Sequence, residues 1–410
     1  MTGQPGRVVI VGAGPAGMAL AYLLARRGVE VRVLETHLDF GRVFRGEGLQ
    51  RSGIDAFRQM GLGAKFDQLP HIELKTIEIY STGNLVIRTD SAKFGRRQTR
   101  VVPQAALLQL LTDAASQYPG FRLEVGVTVR DLLRENGRVV GVRTGSTPDS
   151  PREYHADLVV GADGRHAATR KHSGLPELSG SPEAYDILWL KVPYFENYPD
   201  QGTMLMARSD RRAGLAFPTA DGQLQVGLVI PKGDFAALRS RSADEWTEDL
   251  IGAFPSFLAD HLRTHRKIVA NATLLNVVCG RLSDWTVPGL LLIGDAAHPM
   301  SPIGGQGVNI ALRDALVSAN HLVPLLTNSC DPVALDNAAR KVREERWPEI
   351  VAVQEMQQHQ AHILFAPDRW TSRLLNRMLP LLVRTGLFQW LQRKQYHLLS
   401  DGAMPVQLVV

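Results

Sequence analysis

The chain has 410 residues, room for two or three domains and a sizeable core. Its composition is 44% hydrophobic and 21% charged, and a formal net charge of +5 without any block of like charges gives no reason to expect a nucleic-acid partner. Two cysteines outside any C-x-x-C pair argue against a disulfide framework or a zinc site, and the absence of any apolar run near ~18 residues argues against a transmembrane helix, so a cytoplasmic setting is expected, with the apolar stretch Leu379–Leu399 read as core packing or, alternatively, as a cap on a greasy substrate or a membrane-surface segment.

The first elements form a βαβ unit. Residues 7–11 (RVVIV) read as a buried parallel strand, residues 12–17 as a turn, 16–27 as a helix ending near Gly28, and 29–35 as a second strand. Residues 72–80 and 84–89, joined by Ser81-Thr82-Gly83, read as an antiparallel hairpin. A helix is predicted over 103–116, strands over 122–129 and 138–143 with Asn136-Gly137 as a turn, and a short buried strand over 157–162. From about residue 184 the texture changes. Strand-like pieces at 185–192, 203–208, 213–217 and 224–230 suggest a mainly antiparallel sheet. A strand returns at 289–293, followed by Gly294-Asp295 and a helix from about 306. Residues 333–400 read as helical, with Pro348, Pro367 and Pro380 as breaks.

The turn of the βαβ unit reads Gly12-Ala13-Gly14-Pro15-Ala16-Gly17. Gly12 permits the tight turn, Gly14 lets the backbone approach a pyrophosphate, and Gly17 allows close helix–strand packing. The helix start, with Ala16 in it, offers amide donors and a positive dipole end. Glu35 ends the second strand, where a carboxylate suits the ribose hydroxyls of an adenosine. This motif alone does not separate FAD from NAD. Two further stretches bear on that choice, GADGRHAATR at 161–170 and GDAAHPMSPIGGQGVNIALRDA at 294–315, each directly after a short buried strand.

One G-x-G-x-x-G, an Asp-Gly motif and a Gly-Asp motif, in that order, make the chain similar to the single-component FAD-dependent aromatic hydroxylases. That group includes p-hydroxybenzoate hydroxylase and the ubiquinone-pathway hydroxylases, and the resemblance runs from about residue 7 to 330. It implies an α/β protein: a Rossmann-like FAD-binding domain (1–70, 98–175 and 275–330), an inserted, mainly antiparallel substrate-binding sheet (71–97 and 176–274), and a helical C-terminal segment (331–410). It implies FAD as cofactor, NADPH or NADH as a transient reductant, and hydroxylation of an aromatic or polyketide-like small molecule by O₂ through a C4a-hydroperoxyflavin. A monomer or homodimer is expected.

Residue by residue, Asp163-Gly164 is expected near the flavin, with an ordinary turn as the alternative. Gly294-Asp295 is expected to serve the ribityl hydroxyls, with a helix N-cap as the alternative. Gly307 and Asn309, at the next helix start, would face the flavin's anionic edge. Arg45 is expected on a phosphate, with Arg42 competing, and Gln104 is the remaining cofactor candidate. The resemblance places the reacting oxygen beside Pro302, with Gly304 and Gly305 leaving space for it. His298 is expected to make a structural hydrogen bond. The pairs His261/His265 and His359/His362 have metal-compatible spacing without supporting carboxylates, so no metal is expected. A flavin-dependent reductase of an isoprenoid or polyene, and a non-catalytic flavin-binding protein, are the alternative functions.

Overall fold

In a computed structural model of the chain, residues 5–41, 47–90, 99–145, 151–180, 184–209, 212–328, 330–365 and 397–410 are described. Arg7–Val11 is buried after its first residue and lies at the heart of a six-stranded sheet. It pairs in parallel with Glu30–Glu35 on one side (Val9 opposite Arg32) and with Leu158–Gly161 on the other (Val9 opposite Val159). Phe121–Val125 extends the sheet beyond Glu30–Glu35, and Leu290–Leu292 beyond Leu158–Gly161, both in parallel. Continuous aliphatic runs suit strands covered on both faces, and helices supply the cover.

Pro15–Arg26 starts with Pro15 in its first turn and buries ten successive residues, Ala16 to Ala25. It ends where Gly28 adopts φ +82 and donates to the Ala25 carbonyl. It packs against Gly307–Leu326 and Gln104–Ala115.

The second large sheet has seven strands in the order 273–275, 185–193, 223–231, 212–218, 203–209, 76–81 and 84–90. Every pair is antiparallel except 203–209 with 76–81. Alternation sorts its side chains. Leu188, Leu190, Leu205, Val226 and Leu228 pack with Trp246 and Leu258 from the covering helices. The opposite face carries Ile187, Trp189, Leu215 and Phe217, three of them half-buried.

Several boundaries differ from expectation. The hairpin begins at Thr76, because Ile72–Leu74 pairs instead with Thr99–Val101 in a three-stranded sheet that also holds Gly48–Leu49. The expected strand over 122–129 stops at Val125, and a new one, Val129–Glu135, pairs with Arg138–Thr144 around Asn136 (φ 49) and Gly137 (φ 81). Pro348 does not break its helix, which runs through Pro332–Phe365. The ring is on the exposed side, while buried Arg346, Glu349 and Ile350 hold the helix on both sides of it. The expected breaks at Pro367 and Pro380 lie outside the described residues. Among the described residues, no helix is long and apolar enough to cross a membrane.

Candidate flavin and oxygen-transfer site

The glycine turn is held from behind and open in front. Gly12 has φ +102, and a Cβ there would stand 2.4 Å from the Ala162 carbonyl oxygen. A Cβ on Gly17 would stand 2.1 Å from the Gly12 carbonyl oxygen. At Gly14 the nearest atom to such a Cβ is 4.0 Å away, so this position faces space. Gly14 is the N-cap of Pro15–Arg26 and no side chain caps that helix, which leaves its dipole end for a ligand. Glu35 is 3% exposed. Its Oε2 accepts the Ala13 N–H at 2.9 Å and its Oε1 accepts the His37 N–H at 2.9 Å. Glu35 therefore ties the end of the second strand to the turn.

The Asp-Gly motif serves the fold through its side chain. Asp163 accepts the Thr169 N–H at 2.9 Å and the Thr169 hydroxyl at 2.5 Å, capping Ala168–Ser173, and Gly164 turns the chain at φ +81. Burial pushes the Asp163 carboxyl above its ordinary value, opposed by the Thr169 donors. Both oxygens of this carboxylate are thus engaged with Thr169.

Asp295 behaves differently. It lies in the turn Gly294–Ala296, has a 30% exposed side chain, and meets Arg165 with Oδ2 at 3.2 Å from Nε. The helix-cap alternative fails, because the next long helix starts at Gly307 and no side chain caps it. Gly294 has φ +59, and a Cβ there would be 3.3 Å from the Ala16 Cβ and 3.8 Å from the Ala311 Cβ. The Gly-Asp turn is therefore wedged between the starts of two helices, neither capped by a side chain. Arg165 and Arg170 complete the rim, with Arg170 Nη1 donating to the Ala296 carbonyl at 2.8 Å. Both arginines lie within the GADGRHAATR motif, but nothing local marks their role, because Asp295 and Ala296 are more than a hundred residues away.

Behind this turn is a buried charge network. Asp314 Oδ2 accepts the Gly294 N–H at 3.0 Å and is 2.8 Å from His298 Nε2, while its Oδ1 accepts from Arg346 Nε at 2.8 Å. Glu349 pairs with Arg346 and, at 2.8 Å, with Arg313. Arg346 and the two carboxylates are fully buried. The paired cations hold Asp314 and Glu349 below their ordinary values against the opposing effect of burial. His298 takes the structural role expected of it.

The loop before Gly307 is fixed from three sides. Tyr185 Oη lies 2.5 Å from Ser301 Oγ, and Gln357 Nε2 donates to the Ser301 and Ile303 carbonyls at 2.9 and 2.8 Å. Between those carbonyls stands Pro302, with φ −70. Gly304 and Gly305 have φ +73 and +61. Gln306 Nε2 reaches both the Gly304 and Leu399 carbonyls at 3.0 Å. Two expectations change here. The space beside Gly304 is taken in part by Leu399, whose Cδ2 would be 2.7 Å from a Cβ. Asn309 is fully buried, and its amide donates to the Gly305 carbonyl at 2.8 Å and the Gly48 carbonyl at 3.3 Å while its oxygen accepts the Gln50 N–H at 2.8 Å. Its hydrogens are thus spent on the backbone that frames the loop. Gln104 is half-buried at the start of its helix, and Arg45 and Arg42 lie outside the described residues.

His261 and His265 direct nitrogens at the Pro193 and His261 carbonyls, and His359 at that of Glu355; His362's side chain is outside the described residues. No metal-binding cluster occurs among the described residues.

Two uncapped helix starts, glycines without room for a side chain and a turn presenting Asp295 between them fit an extended dinucleotide with an anionic diphosphate. A family model described as "FAD binding domain" matches residues 6–351. The chain is 31% identical over 347 residues to 6-methylpretetramide 4-monooxygenase of Streptomyces rimosus, spanning 84% of this chain and 79% of that protein. It is 27% identical over 408 residues to kynurenine 3-monooxygenase of Salinispora tropica, spanning 91% and 85%. Its fold matches PqsL of P. aeruginosa, solved in complex with 2-aminobenzoylacetate, with a TM-score of 0.73 at 20% identity over 89% of this chain and 97% of that one. The chain belongs to the FAD-binding-domain family and is an FAD-dependent monooxygenase.

Proposed function

We propose that the protein uses NADPH or NADH and O₂ to hydroxylate a phenolic or polyketide-like aromatic ring. The ring would lie between the Ser301–Gly305 loop and the half-buried face of the seven-stranded sheet. The observation that supports this is the convergence of loop and sheet, in which Tyr185 bonds to Ser301 while Ile187 and Ile303 share one small apolar cluster. Trp189 and Phe217 continue that face with edge-to-face rings, centroids 6.4 Å apart, a surface suited to a flat aromatic substrate.

When bound, FAD would supply the redox chemistry that activates oxygen. The chain's own residues would do the rest. The Pro15–Arg26 helix start would bind the diphosphate, and Glu35 would hold the turn that shapes it. Asp295 and Arg165 would orient the ribityl chain, and the Gly307–Leu326 helix start would stabilise negative charge. Pro302, Gly304 and Gly305 would set the surface against which the ring is positioned. Under this reading residues 71–97 and 176–274 form the substrate domain, and the protein acts in the cytoplasm as a monomer or homodimer.

The test is oxygen uptake by the flavin-loaded protein with NADPH or NADH across phenols, quinone precursors and polyketides. Uptake stimulated by an aromatic compound, with oxygen incorporated into it, is expected. Nicotinamide oxidation that consumes no oxygen while saturating a polyene would overturn the proposal.

A further inference from the structure

Strand Tyr185–Pro193 sends Tyr185, Ile187, Trp189 and Lys191 to the face that meets the loop. The first two engage Ser301 and Ile303, as described. Lys191, at the other end of the row, reaches Glu47, with Nζ 3.5 Å from Oε1, and Asp221 at 3.1 Å. Glu47 directly precedes Gly48, whose carbonyl oxygen would be 4.0 Å from a Cβ on Gly305 and accepts from Asn309. The strand thus runs from one end of the loop region to the other, with an aromatic middle and a charged end.

Gln225 lies directly opposite Lys191 on the neighbouring strand, and Phe217 opposite Gln225, so all three share this face. Gln225 is 4% exposed, and its Oε1 is buried without a hydrogen-bond partner. Glu47 Oε2 is likewise buried without a partner. Buried acceptors are rarely left unsatisfied, and here two occur on residues that neighbour Lys191, one by ion pair and one by strand register. Gly227, opposite Trp189, has no side chain, and a Cβ would be 2.9 Å from the Trp189 ring, so the indole lies flat against the strand.

We propose that Glu47, Lys191 and Gln225 form the polar end of the substrate cleft and recognise adjacent hydroxyl groups on the edge of a fused aromatic ring. This rests on the cleft assigned above. The two free oxygens accept the hydroxyl hydrogens, Lys191 donates to a hydroxyl oxygen, and the rings lie along Trp189 and Phe217. Glu47 is also placed to take a hydroxyl proton. The O–H bond breaks, a carboxyl O–H bond forms at Oε2, and the charge moves to the phenolate oxygen beside Lys191. Burial raises the Glu47 carboxyl from its ordinary value while Lys191 opposes the rise, which favours such a transfer.

The test compares 2,3-dihydroxynaphthalene with naphthalene, each titrated calorimetrically into the FAD-loaded protein without reductant. The diol should bind roughly tenfold or more tightly, the scale of a hydrogen bond to a charged group. Lys191→Met and Gln225→Leu should each remove most of that preference while leaving naphthalene affinity unchanged, which also shows that the variants are folded. Equal affinities in the wild type, or an undiminished preference in both variants, overturns the proposal and leaves the cleft assignment intact. If neither compound binds, the cleft assignment falls and this inference falls with it.

Discussion

Asp314→Asn tests whether the buried charge network holds the Gly294–Ala296 turn in place. In the folded protein Asp314 accepts from three donors: the Gly294 N–H, His298 and Arg346. Two carboxylates balance two guanidinium groups, and the Arg346–Asp314 pair is fully buried. An asparagine keeps the shape, but it offers one acceptor oxygen and turns an NH₂ toward a donor. If the oxygen stays on Gly294, the amide faces Arg346, donor against donor. Breaking one side of a buried pair typically costs ~3–5 kcal/mol. An unfolding entropy of ~2.1 cal/mol/K per residue over 410 residues converts this to a Tm lowered by about 4–6 °C. Turned the other way, the side chain meets Arg346 but presents its NH₂ to the Gly294 N–H, which loosens the turn carrying Asp295, so released FAD should rise in parallel. Differential scanning calorimetry and the flavin content of gel-filtered protein provide the measurements. The double variant Asp314→Asn/Arg346→Met restores charge balance and should recover part of the loss. A single variant within about 1 °C of wild type, or a double variant no more stable than the single, would refute this account of the network.

Stability should also depend on pH through the same carboxylates. Asp314 and Glu349 sit below their ordinary values when folded, so their contribution is fully present above the unfolded carboxylate range and is lost as pH falls through the folded values; acid melts should be less steep for Asp314→Asn than for wild type. Glu35→Ala should weaken FAD binding by about 1–3 kcal/mol, read by equilibrium dialysis, since it loses an acceptor and the brace on Ala13. Asp295→Ala should release flavin or hold it loosely, whereas full flavin with full turnover would make the Arg165 contact merely structural. Gly304→Val forces a β-branched residue into φ +73 and against Leu399, so nicotinamide oxidation should persist while the ratio of hydrogen peroxide to product rises, and unchanged coupling would place the reacting oxygen elsewhere.

What the sequence disclosed was local. Residues 7–35 form a contiguous unit whose glycine spacing, aliphatic run and terminal carboxylate are all short-range features, and the structure reproduces them closely. The Gly294 turn was legible for the same reason, because its strand and following helix flank it. The loop around Pro302 was placed in sequence, but its supports were not. Tyr185, Gln357 and Leu399 come from three separate segments, and no periodicity reveals that they meet. Asn309 shows the limit of reading a residue type as a role: an amide at a helix start suits a ligand, yet here tertiary packing brings the Gly48 and Gly305 carbonyls to it first. Pro348 shows local propensity yielding to burial on both sides of the ring. Arg165 and the Glu47–Lys191 pair escaped notice because their partners belong to strands or turns far along the chain.

The order of strands in the parallel sheet bears on how the protein is made. Arg7–Val11 is made before every other strand of this sheet, and only Glu30–Glu35 follows soon enough to pair with it. Its other neighbour, Leu158–Gly161, emerges after more than a hundred further residues, and Leu290–Leu292 after more than a hundred beyond that. Until then the centre of the future sheet is an open aliphatic edge, the kind of surface that pairs with other nascent chains. Yield in a heterologous host should therefore respond to translation speed and to holdase chaperones before it responds to flavin supply, because the proposed dinucleotide site is incomplete until the Gly294 turn has been synthesised and wedged between its two helices.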